Sequence, residues 1–248
     1  MEAENKKLTE EYRLTQTIRR AFNQGIREFA LIESGDSILV GLSGGKDSLA
    51  LLRLLGERRK KSNYSFRLAA LHVKMDNVDY RSDLTYLENF AKDCGAEWLV
   101  RTGHFDADRD EKRSPCFLCS WNRRKILFET AQSEGFNKIA LGHHQDDILH
   151  TALMNLTFEG SFATMPVKLK MRKFPITIIR PLCKLKESYL VEWAKQQNLQ
   201  PLDKVCPFDK ESNRTTIKGV FAQLEQLNAE SRYSLWRALQ KENKLVEE

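Results

Sequence analysis

Two short runs in this 248-residue sequence carry residue types that chemistry would use. The run Ser43-Gly44-Gly45-Lys46-Asp47-Ser48 follows directly on the apolar stretch 37–42. A glycine-rich turn between a strand and a helix lets backbone N–H groups converge on an anion, and the helix dipole adds to the attraction. The run reads as a phosphate site. It is not a Walker loop, because position 40 is Val and Asp47 follows Lys46 where Ser or Thr is required. A carboxylate beside phosphate repels it unless a cation, most simply Mg2+, lies between them. The plain alternative is an ordinary glycine turn with Ser48 as a helix cap.

Cys116 and Cys119 form a second constellation, a cysteine pair followed by Arg123-Arg124-Lys125. Such spacing suits two thiolates on one metal or cluster, with the cations keeping the thiols ionised; a redox pair or a chance pair is the other reading. A third cysteine, Cys206, stands far along the chain. Three thiolates can hold a cubane iron–sulfur cluster with one iron open, whereas a closed structural zinc site wants a fourth protein ligand. Cys94 and Cys183 sit in apolar contexts and read as buried small hydrophobes. A further run, Gly142-His143-His144-Gln145-Asp146-Asp147, places two carboxylates where a strand ends and a helix opens. They can hold Mg2+ or aim at a reacting group, or simply cap the helix; His143 and His144 read as orienting hydrogen-bonders.

The elements that must position these runs follow from periodicity. Leu8, Tyr12, Thr15, Ile18, Phe22, Ile26 and Phe29 recur at helical spacing, with Arg13, Arg19, Arg20 and Arg27 on the other face. From Asp36 onward, strands are expected at 37–42, 68–75, 97–101, 138–141 and 176–179. Helices are expected at 49–55, 84–94, 120–133, 147–156 and 187–197. This alternation implies an α/β fold, a parallel sheet covered by helices on both faces, with ligands at the carboxyl ends of the strands. After Pro201 the segments 217–227 and 233–239 read as helices rather than more sheet. The expected organisation is an N-terminal helical segment 1–33, a nucleotide-binding domain 34–200 and a C-terminal helical segment 201–248.

Composition narrows the class. Hydrophobic residues are 41% of the chain and charged residues 30%, with no apolar run approaching the ~18 residues of a membrane helix. The first residues lack the apolar core of a secretory signal, so a cytoplasmic protein with no membrane partner is expected. Five cysteines, an odd number, argue against a disulfide scaffold. The net charge of +6 and a pI near 9.0 suggest a polyanionic partner.

The hexapeptide 43–48 resembles the pyrophosphate-binding loop of the PP-loop ATP pyrophosphatases. The whole set of pieces resembles one subfamily, the tRNA 2-thiocytidine synthetases. That resemblance runs from about Asp36 to Gly219. It rests on the loop, on Cys116 and Cys119 with the basic stretch, and on Ala140-Leu141-Gly142-His143-His144-Gln145-Asp146-Asp147-Ile148-Leu149. Met165-Pro166-Val167-Lys168-Leu169, Ile179-Arg180-Pro181-Leu182, and Cys206 followed by Asn213-Arg214 complete it. It implies a Rossmann-like PP-loop domain that uses ATP to adenylate the C2 oxygen of an anticodon-loop cytidine and replaces that oxygen with sulfur. It further implies that Ser43, Gly44, Gly45, Lys46, Asp47 and Ser48 bind the phosphates of ATP with Mg2+. Asp76, Gly142 and His143 are expected at the nucleotide, and Cys116, Cys119 and Cys206 on a [4Fe-4S] cluster. Arg123 and one of Asp146 or Asp147 are expected to position the base and the developing charge. The partners implied are tRNA and a sulfur donor such as a cysteine desulfurase, and a homodimer is compatible. Two other functions remain open on the sequence: amine ligation of the lysidine type, and a non-catalytic tRNA-binding module with structural zinc.

Overall fold

The computed structural model describes residues 2–77, 83–106, 114–202 and 213–248. Strand β1 (Ser37–Gly41) leads through the loop 42–45 into helix α2 (Lys46–Lys61), after the long helix α1 (Glu2–Glu28). Then follow β2 (Arg67–Met75), α3 (Leu84–Asp93), β3 (Glu97–Gly103), α4 (Pro115–Ser133), β4 (Lys138–Ala140) and α5 (Gln145–Phe158). The chain continues through β5 (Lys168–Lys170), β6 (Thr177–Ile179), α6 (Glu187–Gln196), α7 (Asn213–Leu227), α8 (Ser231–Lys241) and β7 (Val246–Glu247).

The strands form one sheet in the order β3-β2-β1-β4-β6-β5-β7. The first five of these run parallel, in register from Gly41 opposite Leu71 through Val40 opposite Ala140 to Ala140 opposite Ile179. Strand order reverses between β1 and β4, the chain proceeding from β1 to β2 on one side and from β4 toward β6 on the other, and sheets of this kind bind ligands at the carboxyl ends at that point. Alternate residues of each strand serve two cores. Ile38, Val40, Leu68, Ala70 and Ile179 belong to a large cluster with residues of α1, α2, α3, α5, α6 and α8. Leu39, Ala69, Leu71, Val73 and Ile139 form a smaller cluster under α4, through Leu127 and Ala131. Among the described residues α4 is the principal helix on that second face.

Two expectations need correction. β5 pairs antiparallel with β6, and β7 joins β5, so the sheet gains an antiparallel edge and a last strand after the C-terminal helices. In the N-terminal helix only the later part of the apolar stripe is covered. Ile18, Phe22 and Ile26 are buried, whereas Leu8 and Tyr12 stand exposed. Ile18 and Trp236 share the large cluster with the sheet, so both terminal segments pack onto the same core.

At the opposite end of β1 and β4 a buried ion pair fixes the strands. Lys138 Nζ lies 2.7 Å from Asp36 Oδ2 and donates to the Leu31 carbonyl at 3.0 Å. Asp36 also accepts from Asn137 Nδ2 at 2.9 Å. Removing one partner strands a buried charge, which typically costs about 3–5 kcal/mol. Lys138→Met is therefore expected to lower unfolding free energy in urea by about 3 kcal/mol or more, and the added change Asp36→Asn to restore part of it. A loss below about 1 kcal/mol would show that the pair is not effectively buried.

Candidate active site

The loop after β1 turns on Gly44, whose φ of +82° lies in the left-handed region that glycine adopts without steric cost. A Cβ at Gly44 would collide with the Leu202 side chain. Leu202 also donates its N–H to the Gly44 carbonyl at 2.9 Å. Ser43 Oγ donates to Ser48 Oγ at 3.1 Å and accepts the Gly45 N–H at 3.3 Å, while Ser48 Oγ donates to the Gly45 carbonyl at 2.9 Å. The two serines thus hold the loop's shape. Gly45 is the N-cap of α2 and supplies no side-chain cap, so first-turn N–H groups and the positive end of the dipole are left for an anion.

Lys46 Nζ sits 2.9 Å from Asp47 Oδ2 and 3.3 Å from Glu187 Oε1. Burial opposes its charge, but the two carboxylates outweigh it and hold the ammonium above its ordinary pKa. Asp47 Oδ1 is buried without a hydrogen-bond partner. A lone carboxylate oxygen in that position fits a divalent cation bridging it to phosphate. Asp47 lines a cavity of about 330 Å³ together with His144, Asp147, Glu187, Arg214 and Lys218.

The β4–α5 connection presses against this loop. A Cβ at Gly142 would lie 3.0 Å from both the Asp47 carbonyl carbon and the Ser48 nitrogen, which are backbone atoms with little room to yield. Gly142 therefore acts by letting two backbones approach. The two aspartates that follow have different duties. Asp146 accepts from Arg232 at 2.8 Å and from the Glu187 N–H at 2.7 Å. Burial pushes its pKa up, and these donors more than reverse the effect, leaving it below the ordinary value. Asp147 accepts the His144 N–H at 3.0 Å, capping α5 from within, and faces the cavity beside Asp47.

On the other side of the loop lies an apolar cavity of about 380 Å³ between α4 and the carboxyl ends of β1, β2, β4 and β6. Leu42, Leu71, Val73, Leu141 and Ile178 form its walls, and Ser43, Arg123, Arg124, His143 and Arg180 supply its polar groups. An apolar slot with a few convergent polar groups suits a small ligand such as a nucleoside. Arg180 Nε donates to His143 Nδ1 at 3.3 Å. Burial, reinforced by the Arg180 charge, lowers the His143 pKa to about 4, so the ring is a neutral acceptor at physiological pH.

Cys116 and Cys119 occupy the first turns of α4, whose N-cap Ser114 accepts the Phe117 N–H at 3.3 Å and whose first residue is Pro115. Cysteines three apart on a helix point to the same side. Arg123 and Arg124 lie one turn further on. The donor set fits a cluster to this extent; Cys206 lies outside the described residues. None of the four described cysteines is in a disulfide. Cys94 and Cys183 are buried, and burial pushes their thiols up to about 11 and about 12, respectively, as their apolar sequence contexts suggest.

The structure thus places Ser43, His143 and Arg123 on the apolar cavity and Asp47 and Asp147 on the second, with Gly44, Gly45, Lys46 and Ser48 in the same loop and Gly142 packed against it. Asp146 is turned to the helices behind. Asp76 is half exposed and paired with His104 at 2.7 Å, and does not line the apolar cavity; Leu71 and Val73 represent β2 there. Sequence reasoning missed Glu187, Lys218 and Arg232. Glu187 had a readable signal, an acidic residue opening the helix after a parallel strand. Lys218 and Arg232 lie on exposed-looking helices, and nothing local marks them.

A family model described as a PP-loop domain matches residues 13–221. The tRNA-cytidine(32) 2-sulfurtransferase of Geobacter sulfurreducens is 32% identical over 228 residues, 90% of this chain and 88% of the relative. The Pelobacter propionicus protein of the same name is 34% identical over 233 residues, covering 91% and 86%. Among solved structures, the U34-tRNA thiolase NcsA from Methanococcus maripaludis with its [4Fe-4S] cluster matches at a TM-score of 0.78 and 28% identity, covering 92% of this chain and 79% of that one. The chain belongs to the PP-loop family, in its tRNA 2-thiocytidine synthetase branch.

The neutral His143 gives a pH test. An unfolded histidine takes its proton near pH 6.5 and the native one only near 4, so stability contributed by this site is full above about pH 6.5 and is lost as pH falls toward 4. His143→Gln is expected to flatten the decline in urea stability between pH 7 and pH 4.5 by roughly 2 kcal/mol. Parallel stability curves for the two proteins would contradict a buried neutral ring.

Proposed function

We propose that the protein is an ATP-dependent tRNA thiolase that replaces the C2 oxygen of an anticodon-loop cytidine with sulfur. The observation carrying this reading is the uncapped N-terminus of α2 at the carboxyl end of β1, opening beside an apolar cavity that Arg123 and Arg124 line one turn beyond a cysteine pair. Relatives named as tRNA-cytidine sulfurtransferases and a cluster-bearing tRNA thiolase support it.

ATP places its adenosine in the apolar cavity and its phosphates on the loop 43–48. The C2 oxygen attacks the α-phosphorus, the bond to the β-phosphate breaks, and pyrophosphate departs. Lys46, now held by Asp47 and Glu187, is within side-chain reach of that departing charge. Asp47, whose Oδ1 is buried without a hydrogen-bond partner, and Asp147, which faces the same space, would hold Mg2+, which would supply positive charge against the phosphates. Arg123, Arg124 and Arg180 bear on charge that develops around the adenylate, in a site where apolar walls exclude water and strengthen electrostatics. The C2–O bond to AMP then breaks as sulfur enters. Cys116, Cys119 and Cys206 would hold a [4Fe-4S] cluster, which supplies an open iron for sulfide. We assign Asp147 to the reaction and Asp146 to the scaffold. The enzyme works in the cytoplasm, on tRNA and with a donor such as a cysteine desulfurase.

The lysidine-type alternative gives AMP and pyrophosphate as well but incorporates an amine, and the zinc-module alternative has no turnover. Anaerobically prepared protein is expected to hold about four irons per chain. Cys116→Ala, Cys119→Ala and Cys206→Ala should each lose them, with Cys94→Ala unaffected; stoichiometric zinc in place of iron would overturn the cluster. In turnover the nucleotide products should be AMP and pyrophosphate, and Lys46→Ala should slow the reaction roughly a hundredfold or more. Release of ADP would defeat the assignment.

A further inference from the structure

The outward face of α4 carries more aromatic surface than the fold needs. Phe117, Trp121, Arg124 and Phe128 recur at spacings of four, three and four and so share one stripe of the helix. Phe117 is 47% exposed and Trp121 50%. Lys125 Nζ stands 6.0 Å from the centre of the Trp121 ring. At the far end of the stripe Phe128 meets Phe174, their rings 6.0 Å apart and inclined by 39°. Phe174 is itself exposed, in the turn between β5 and β6 that also presents Arg172 and Lys173 to solvent. Arg124 and Phe128 are at the same time walls of the apolar cavity. The stripe therefore leads from the cysteine pair to the cavity.

We propose that this stripe is a stacking ledge for the unpaired nucleotides flanking the reacting base, with Trp121 as the main platform and Phe174 as a second. The occupant is single-stranded RNA rather than protein, because cations flank the exposed rings. Arg124, Lys125, Arg172 and Lys173 are exposed along it, and Glu129, 3.8 Å from Lys125, is an acidic neighbour. Base stacking on aromatic rings combined with phosphate contacts to cations is how proteins hold single strands with little regard to sequence. Phe117 and Trp121 lie one turn apart, but a cation, Arg124, interrupts the stripe before Phe128, and Lys125 stands 6.0 Å from the Trp121 ring, an arrangement that suits stacked bases and their phosphates better than an apolar protein face. Continuity with the cavity supplies the purpose: a base can be unstacked and turned toward the adenylate only while its neighbours are held. The inference rests on the thiolase reading for its substrate.

The test uses anaerobically prepared protein and two synthetic RNAs, a stem-loop with an unmodified cytidine in the loop and the same stem as a continuous duplex. Trp193 and Trp236 are buried and Trp98 is covered by His72 at 6.4 Å between ring centres, so Trp121 dominates the solvent-exposed emission. The stem-loop should quench that red-edge emission and the duplex should not, and Trp121→Phe should abolish the difference. Trp121→Ala should weaken stem-loop binding at least about fivefold, with Trp121→Phe recovering most of it. Arg172→Glu with Lys173→Glu should weaken binding and shallow its salt dependence by about 0.7 in log–log slope for each phosphate no longer neutralised. Equal quenching by both RNAs, or parental affinity in Trp121→Ala, overturns the ledge. A parallel thiolation assay separates the two readings. Thiolation without loop-specific quenching removes only the ledge, whereas loop-specific quenching without thiolation keeps the ledge and removes the chemistry.

Discussion

Two backbones meeting at Gly142 set the geometry on which the rest of this site depends. The β4–α5 connection lies against the carbonyl of Asp47 and the nitrogen of Ser48 at a distance that leaves no place for a side chain. β1 and β4 are neighbours in the sheet, and the helices after them, α2 and α5, pack on the same face of it. Side by side there, the anion loop and the start of α5 are brought together. Everything that follows is positioned by it: the free N–H groups of α2 beside the cap of α5, Asp47 across from Asp147, and His143 on the cavity wall.

Charge relations behind this meeting point tie the later helices to the loop. Arg232 of α8 holds Asp146, Asp146 accepts the Glu187 N–H at the start of α6, and Glu187 divides its carboxylate between Lys46 of the loop and Lys218 of α7. Burial works against the charge of Glu187, and the two lysines nevertheless keep it below its ordinary pKa. A lysine resting on two carboxylates is poised to exchange them for a stronger anion, which is what a pyrophosphate is. The same series of ion pairs links α7 and α8, which follow α6 in the chain, to the loop.

Much of this was legible in the sequence, and the remainder was hidden for identifiable reasons. The apolar run before Ser43 and the glycines after it announced the strand, the turn and the helix, because a buried parallel strand and a left-handed glycine both leave local marks. β5 left none: Lys168-Leu169-Lys170 has a single apolar residue, and it is a strand because Leu169 finds Ile178 across the sheet. The distinction between Asp146 and Asp147 was equally hidden, since it rests on Arg232, 86 residues away. Asp76 stands at the end of its strand as expected, paired with His104 and outside the lining of the apolar cavity. Two of the basic residues at the end of α2 have partners within the fold: Arg58 binds Tyr64 and Asn23, and Arg59 binds the Gly95 carbonyl.

If the loop and cavity turn a base oxygen into a leaving group carried off on AMP, that oxygen can be followed. An oxygen-18 label at the C2 position of the target cytidine does so directly. Mass spectrometry after thiolation should find one labelled oxygen in the phosphate of AMP for each sulfur gained by the RNA. Unlabelled AMP accompanying thiolated RNA would contradict the account.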